Sequence, residues 1–493
     1  MTMEDIDETT GELADDAPGA RFERGKRRVG LVLGPVLAAV LYAMPLGASS
    51  PALVALMVLC VTWWLTEALP AAVVALITAV GAVLMGLATP QVAFGAFGTP
   101  LLYLFVGSFF IAEAMRVHGL GQRIGELVAR YARGRLSFLI AIAIASFFLS
   151  MVMSNSAATA ILLPIALAMA PRDPRDRFGT ALVLVVAWGA SVGGLGTPVG
   201  TPPNGFGITE LEQRGLDLNF VEWMAIGVPM GVVMMVGLVV VLVVAFGVRR
   251  HQPLPKPSDV PARARPFSRG EWAVLIAGAI AIVGWLTPTI TQLVAPGRVA
   301  QWCDKHLTEE VVALIAGCTL FVLPGNAPGK PRRPALTWHE ATKIEWGVIL
   351  LFGGGILLGT LGKSTGLAEQ WGRELVAATG ASSTWTITAL VTATAIVLSE
   401  ATSNTATASM MAPLAGALAS SAGAAPIPAV LGATMGASFG FMMPISTAPN
   451  ALAYATGRVS VAQMVKVGII FDIVGFFLIV GALRIFCPLF GWT

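Results

Sequence analysis

Long apolar stretches dominate the chain, and short polar segments interrupt them at only a few places. Apolar stretches long enough to cross about 30 Å of hydrocarbon predict transmembrane helices. About eleven such stretches lie near residues 29–47, 50–68, 70–88, 97–116, 180–200, 224–248, 272–295, 309–323, 345–362, 429–447 and 464–486. The pattern therefore predicts an all-α polytopic membrane protein.

The polar interruptions occur in matched pairs. MSNSAATAILLP holds Ser-Asn-Ser at 154–156, and TSNTATASMMAP holds Ser-Asn-Thr at 403–405, each followed by a proline at the same distance. A second pair, GTPPNG at 200–205 and STAPNA at 446–451, follows the two tripeptides at similar intervals. The repetition of this order indicates that the chain is internally duplicated.

Composition agrees with a membrane location. The 493 residues are 56% apolar and 12% charged, which does not describe an ordinary soluble fold. The net charge of +3 is small and scattered, so no nucleic-acid partner is expected. The four cysteines show neither paired nor metal-ligand spacing, which makes a disulfide or zinc framework a weak interpretation.

Basic residues predict the orientation. By the positive-inside rule, RFERGKRR, RYARGR, PRDPRDR, KPRR and the basic linker at 249–271 should be cytoplasmic. Residues 1–28 are then a cytoplasmic tail, the loop at 209–222 lies outside, and the C-terminus lies outside. We expect a multi-pass protein of the cell inner (plasma) membrane, in contact with lipid.

The same rule indicates that the first tripeptide lies at the tip of a re-entrant hairpin. Its two apolar arms, 136–153 and 157–170, have arginines on both outer flanks: Arg130, Arg133, Arg135, Arg172, Arg175 and Arg177. Fourteen residues in the second arm reach only about 21 Å, too short to span. We predict re-entrant hairpins at 136–170 and 384–420 that enter the membrane from opposite faces. The first lies in residues 29–248, which hold one extra transmembrane helix and the first repeat, and the second lies in the second repeat at 272–493.

The tips have a definite chemistry. A helix that begins in mid-membrane presents unpaired N–H groups and the positive end of its dipole, which suits an anion. The arm before it ends in unpaired carbonyl groups, which suit a cation. A dianion between two such tips leaves negative charge uncompensated, and oxygen ligands without a titratable histidine favour sodium as the accompanying ion. The pattern is typical of a secondary transporter.

These motifs, together with WWLTEALP at 63–70, resemble those of the divalent anion/sodium symporters, a family of bacterial and animal dicarboxylate and citrate carriers. The resemblance covers nearly the whole chain and implies an elevator-type homodimer that imports succinate, malate, fumarate or citrate with sodium. It implies substrate contacts from Asn155, Ser156, Thr201, Asn404, Thr405 and Thr447. It implies sodium ligands among Ser150, Ser154, Asn155 and Gly200, and among Ser399, Thr402, Asn404 and Ser446. Ser156 and Ala448 depart from the family pattern, which usually has threonine and proline there.

Other classes fit less well. An intramembrane enzyme would need a nucleophile–base pair or a metal motif, and the four scattered histidines form neither. A channel needs one continuous pore, whereas paired closed sites favour alternating access. The nearest alternative is a sodium-independent dicarboxylate exchanger of the same fold. The tips carry no Lys or Arg that would replace a cation, which favours cotransport.

Four carboxylates at or near membrane depth are further functional candidates: Glu67, Glu113, Glu400 and Asp472. Glu113 has Arg116 one turn later, so a structural ion pair is an equal alternative there. Glu400 adjoins the second tip, where a role in cation affinity is expected.

Overall fold

The computed structural model describes residues 20–44, 49–132, 134–171, 173, 176–249, 254, 266–325, 333–380 and 383–493. Most of the predicted tail and linker lie outside these ranges, as do Arg133, Arg172, Arg175 and most of the KPRR segment. The described chain is helical, and its only β-type pairing is an isolated bridge between Pro324 and Pro334. The predicted all-α class is confirmed.

The helices group into two compact units. Described residues up to Phe97 and Leu350–Gln370 form the first, while Gly98–Ile349 and Trp371–Thr493 form the second. The first unit contains the helices Ala20–Ala43, Pro51–Thr66, Ala71–Leu84 and Pro90–Gly95, with the 3₁₀ turn Ala96–Gly98 at its boundary. Two helices, Trp346–Ser364 and Leu367–Thr379, are divided between the units.

The first unit is held by close helix packing. Trp63 Nε1 donates a hydrogen bond to the carbonyl of Gly30 at 3.1 Å, which fastens the first two helices. A Cβ at Gly354 would lie 2.6 Å from Ala75 Cβ, so this glycine lets two helices approach closely. Glu67 ends the helix Pro51–Thr66 with a positive φ of 50° and lies 3.6 Å from Arg27 in an exposed pair. Glu67, a functional candidate from the sequence, therefore lies at the end of a helix in an exposed ion pair.

The second unit carries the remaining helices. The first half of this unit contains Pro100–Val117, Leu120–Tyr131, Arg135–Ser150, Asn155–Ala168, Arg177–Gly194, Pro202–Gln213 and Phe220–Phe246. The second half contains Arg269–Val294, Arg298–His306, Glu309–Thr319, Trp338–Ala341, Thr384–Ala401, Asn404–Ser421, Pro426–Gly436, Ala448–Ala455 and Val461–Leu489.

Within the described residues, seven helical segments are long and apolar enough to cross a membrane. They are Pro90–Val117, Arg177–Gly194, Phe220–Phe246, Arg269–Val294, Trp346–Ser364, Thr384–Ala401 and Val461–Leu489. Five shorter apolar helices accompany them: Pro51–Thr66, Ala71–Leu84, Arg135–Ser150, Asn155–Ala168 and Pro426–Gly436. The protein is a multi-pass membrane protein, and seven of its described helical segments have this length, against about eleven spans expected from the sequence.

Two expected spans are shorter as helices than their apolar stretches. The stretch 429–447 is helical only to Gly436, and residues 437–447 form an irregular segment. The expectation of one helix there was wrong because carbonyls of this segment are bound by a side chain, as described below. The stretch 309–323 is likewise helical only over Glu309–Thr319, about 16 Å at 1.5 Å per residue.

In each of the two segments predicted as hairpins, the outer ends of the two helical arms are in contact. Arg135, at the start of one arm, forms an ion pair of 3.3 Å with Asp176, just beyond the other arm. In the second copy the backbone N–H of Ala425 donates to Thr384 Oγ1 at 3.4 Å, which again joins the two ends. Hairpin 1 is therefore Arg135–Ser150 with Asn155–Ala168, and hairpin 2 is Thr384–Ala401 with Asn404–Ser421.

Each hairpin packs against the opposite repeat. The second arm of hairpin 1 contacts the helix Ala448–Ala455, and the second arm of hairpin 2 contacts Pro202–Gln213. Arg458 follows the helix Ala448–Ala455, and its Nη1 donates to the carbonyl of Pro171 at 2.8 Å. This exchange of partners joins the two repeats within the second unit.

Candidate functional site

The first polar cluster forms where the tip of hairpin 1 meets the irregular segment before Pro202. Ser150 Oγ donates to Asn155 Oδ1 at 2.6 Å, and Asn155 Nδ2 lies 3.5 Å from Thr201 Oγ1. Ser150 and Thr201 are buried away from water, so their hydroxyl groups rely on Asn155 for hydrogen bonds. We call Ser150, Asn155, Gly194, Gly200 and Thr201 half-site 1.

The second cluster repeats this arrangement. Ser399 Oγ lies 2.8 Å from Asn404 Oδ1 and 2.6 Å from the carbonyl oxygen of Ala437. Ser446 Oγ lies 2.8 Å from the carbonyl oxygen of Gly440. Half-site 2 comprises Ser399, Asn404, Gly440, Ser446 and Thr447, and its serine–asparagine bond corresponds to that of half-site 1.

Two further asparagines shape the irregular segments in the same way. Asn204 Nδ2 donates to the carbonyl oxygens of Gly194 and Thr197, both at 2.8 Å. Asn450 Nδ2 donates to those of Gly440 and Met443, at 2.7 and 3.0 Å. Because each amide binds carbonyls that a continuing helix would have used, the backbone stays open beside the tip. The predicted duplication thus extends to individual hydrogen bonds.

Oxygen atoms converge at the glycines of both half-sites. A Cβ at Gly200 would lie 2.5 Å from the carbonyl oxygen of Gly194 and 3.0 Å from that of Ser150. A Cβ at Gly440 would lie 3.0 Å from the carbonyl oxygen of Ser399 and 3.1 Å from Asn404 Oδ1. Carbonyl, amide and hydroxyl oxygens are the ligands of hard cations. The residues therefore fit a sodium ion in each half-site.

The tips also present helix N-termini. Ser154 caps the second arm of hairpin 1 and accepts from the N–H of Ala157 at 3.4 Å. Ser403 caps the corresponding arm of hairpin 2 and accepts from Ala406 at 3.2 Å. A single cap leaves other first-turn N–H groups without a partner inside the helix. The half-buried Ser156 and Thr405 lie in these first turns, next to the groups that suit an anion.

Fixed charge is nearly missing from this region. The structure describes all of residues 150–160, 194–204, 399–410 and 437–450, and these four segments contain one charged residue, Glu400. The carboxylate of Glu400 accepts from the N–H groups of Phe441 and Met442, at 2.6 and 3.0 Å. An anion held here would thus meet helix dipoles and polar groups, with no basic side chain from these segments to neutralise it.

Some predicted residues have other partners. Thr402 Oγ1 lies 2.6 Å from Thr407 Oγ1 and 3.0 Å from the carbonyl oxygen of Leu398, so its hydroxyl is engaged within hairpin 2. Thr447 Oγ1 accepts from the N–H of Asn450 at 3.3 Å and caps Ala448–Ala455. Glu113 forms a two-bond ion pair with Arg116, at 2.7 and 2.5 Å, which is the structural alternative expected for it.

The sequence-based prediction missed three residues that build the site. Gly194 and Gly440 supply carbonyl oxygens to the two asparagines, and each precedes its asparagine by the same number of positions. That equal spacing was an available signal. Trp188 donates from Nε1 to Asn450 Oδ1 at 3.1 Å. A tryptophan in an apolar helix gives no such signal, since its partner lies in the other repeat.

Comparison with known proteins agrees with this architecture. A family model described as citrate transporter matches residues 61–436 and, in a second match, 299–491. The sodium-dependent dicarboxylate transporter SdcS of Staphylococcus saprophyticus is 30% identical over 465 residues, covering 89% of this chain and 87% of that protein. SdcS of Staphylococcus aureus is 28% identical over 466 residues, with the same coverage.

Solved structures share the fold at low identity. The YdaH transporter of Alcanivorax borkumensis superposes with a TM-score of 0.56 at 13% identity, over 82% of this chain and 88% of that one. MtrF of Neisseria gonorrhoeae gives 0.53 at 12% identity, over 79% and 82%. The fold and the matches define a membrane carrier and not an enzyme. The chain belongs to the citrate transporter family.

Proposed function

We propose that the protein imports di- or tricarboxylate anions of the succinate, malate, fumarate and citrate class, driven by sodium. The observation that carries the proposal is the duplicated half-site, in which the same serine–asparagine bond and the same asparagine–carbonyl bonds occur twice. Two sites of this kind, without a basic side chain in their segments, suit an anion accompanied by cations.

The carboxylate groups of the substrate bind at the helix starts. Asn155 and Asn404 offer side-chain amides, Ser156 and Thr405 offer hydroxyls, and Thr201 and Thr447 line the opposite wall. Each helix N-terminus adds roughly half a positive charge. A molecule with two carboxylates supplies one anionic group for each tip, whereas a monocarboxylate leaves one tip without an anionic partner.

Sodium supplies the positive charge that the tips lack. When bound, the ions would be held by oxygens of Ser150, Ser154, Asn155 and Gly200, and of Ser399, Thr402, Asn404 and Ser446. Asn155 and Asn404 belong to both sets, so the cation orients the amide that receives the substrate. This sharing gives a physical reason for coupled binding: each ligand raises the affinity of the other.

A homodimer with an elevator-like moving domain in the plasma membrane, N-terminus inside, is part of the same proposal. Hairpins that enter from opposite faces carry the half-sites to mid-membrane, where irregular backbone is tolerated if it is buried or lines a cavity. The short second arm of hairpin 1, with 14 residues, and the joined ends of both hairpins support this placement.

The second candidate is a sodium-independent dicarboxylate exchanger of the same fold. An exchanger needs fixed positive charge in place of the cation, and the four segments of the site contain only a carboxylate. A binding assay across mono-, di- and tricarboxylates, in sodium and in choline, separates the two. We expect dicarboxylate affinity to require sodium; equal affinity in choline would favour the exchanger.

A further inference from the structure

Two acidic side chains meet inside the second unit, beside half-site 2. Glu400 and Asp472 are 7% and 5% exposed, and their carboxyl groups lie within hydrogen-bonding reach of each other. Asp472 lies on the helix Val461–Leu489, far along the chain from the polar tips. Buried carboxylates without a partner are costly, so this pair needs an explanation.

The two carboxyl groups differ in their partners. Glu400 accepts backbone N–H bonds from Phe441 and Met442, which stabilise its charge. Neither oxygen of Asp472 accepts a hydrogen bond from any donor among the described residues. The group nearest to Asp472 in this pair is the carboxyl of Glu400, a second acidic side chain. Two acidic groups therefore lie side by side in the buried interior, and the described residues give Asp472 no hydrogen-bond donor.

We infer that Glu400 and Asp472 form a sodium site separate from both half-sites. Carboxylate oxygens are hard ligands suited to a hard cation, and Asp472 has two of them unused within the described part of the chain. A single positive ion between the groups offsets their repulsion and satisfies the free oxygens. The inference rests on the proposed function, since a sodium gradient is what would fill the site during transport.

The site belongs to the second repeat alone. Glu400 directly follows Ser399, and the equivalent position after Ser150 is Met151, which cannot offer a charged oxygen. The duplication that makes two half-sites thus makes one carboxylate site. A sodium ion at Asp472 is an addition to those of the half-sites, so the number of sodium ions per substrate exceeds the number of half-sites.

The position of Glu400 couples this ion to half-site 2. Ser399, its neighbour, lies 2.8 Å from Asn404 Oδ1. The N–H groups that Glu400 binds follow Gly440, whose carbonyl accepts from Asn450. An ion that holds Glu400 in place therefore also holds the two segments that form half-site 2, the one around Ser399 and the one around Gly440. We expect this sodium to bind before the substrate.

The test uses the purified full chain and the variants Asp472→Asn and Glu400→Gln. Both keep the side-chain shape, and the amide introduced by Asp472→Asn would be able to donate to Glu400, so folding should be retained. Glu113→Gln is the matched control, because it also removes a buried carboxylate, one paired with Arg116. Thermal unfolding is followed without substrate while sodium replaces choline at constant ionic strength. Sodium-to-substrate ratios are then taken from reversal potentials in liposomes.

We expect Asp472→Asn to be more stable than the natural chain in choline, and to need at least about tenfold more sodium for half of the sodium-induced stabilisation. It should transport with one sodium ion fewer per substrate, and Glu113→Gln should change neither property. The inference would be overturned if Asp472→Asn kept the sodium titration and the sodium-to-substrate ratio of the natural chain. It would also be overturned if the sodium-to-substrate ratio stayed the same while the pH dependence of uptake changed, since that result would assign a proton to the pair. Sodium-independent uptake by the natural chain would instead defeat the proposed function.

Discussion

Trp188 of the first repeat donates a hydrogen bond from Nε1 to Asn450 Oδ1 of the second, at 3.1 Å in the buried interior. The same asparagine uses its Nδ2 to hold the carbonyls of Gly440 and Met443. The indole therefore fixes the orientation of the amide that shapes half-site 2. Asn204, the counterpart beside half-site 1, has an Oδ1 without a hydrogen-bond donor among the described residues. The two half-sites thus differ in how the asparagine amide beside them is held.

Replacing Trp188 by Phe should weaken half-site 2 selectively. The buried amide oxygen loses its donor, at a cost of about 1–3 kcal/mol. Half-maximal uptake should require more sodium, measured by radiolabelled succinate uptake against sodium concentration. Trp285→Phe is the control, since it removes an indole bond of 3.0 Å to the carbonyl of Glu309, outside the site. An equal loss of sodium affinity in both variants would contradict a specific role for Trp188.

Asn155→Ala and Asn404→Ala should each abolish dicarboxylate uptake in a folded, membrane-inserted protein. Each substitution removes an amide and takes away one acceptor of the partner serine hydroxyl, worth about 1–3 kcal/mol at a water-poor site. Uptake and the size-exclusion profile would be measured together. Asn219→Ala, which removes a helix cap at Phe220–Phe246, serves as the control and should still transport. Near-normal uptake by either tip variant would rule out the assigned role.

Substitutions of glycine should give a graded series. Gly200→Ala places a methyl group 2.5 Å from a backbone oxygen, a distance that requires the backbone to shift. Gly440→Ala meets its nearest oxygens at 3.0 and 3.1 Å and should be milder. A Cβ at Gly481 meets no atom within 4 Å, so Gly481→Ala should leave uptake unchanged. The half-saturating sodium concentration should be highest for Gly200→Ala and lowest for Gly481→Ala, and a reversed order would argue against the oxygen cradles.

The proposal that the two hairpins enter from opposite faces predicts a labelling pattern. In a cysteine-free background, single cysteines replacing Arg135 and Asp173 should both react with an impermeant maleimide from the cytoplasmic side. A cysteine replacing Thr384 should react from the other side only. The joined ends of each hairpin motivate the experiment. Labelling of the first two positions from opposite sides would show that hairpin 1 crosses the membrane.

Features that depend on neighbouring residues in the chain, such as helix caps, could be predicted from the sequence. Ser154 and Ser403 cap helices that begin at the tips as predicted, because a serine before an apolar run supplies the oxygen that a helix start needs. The helix expected at 429–447 was not found in full, since Asn450 draws two carbonyls out of helical bonding. Apolar content does not reveal that competition. The bond from Trp188 and the contact between Glu400 and Asp472 join distant segments, so only the folded chain reveals them.

Sodium-driven accumulation of the anion is the most direct test of the account. Purified protein in liposomes would be given an inward sodium gradient with labelled succinate outside, and the same vesicles would be tested with internal succinate and no sodium. We predict uptake above the equilibrium level in the first case and no exchange in the second. Uptake that ignores sodium and requires internal dicarboxylate would contradict the symport mechanism and establish the exchanger.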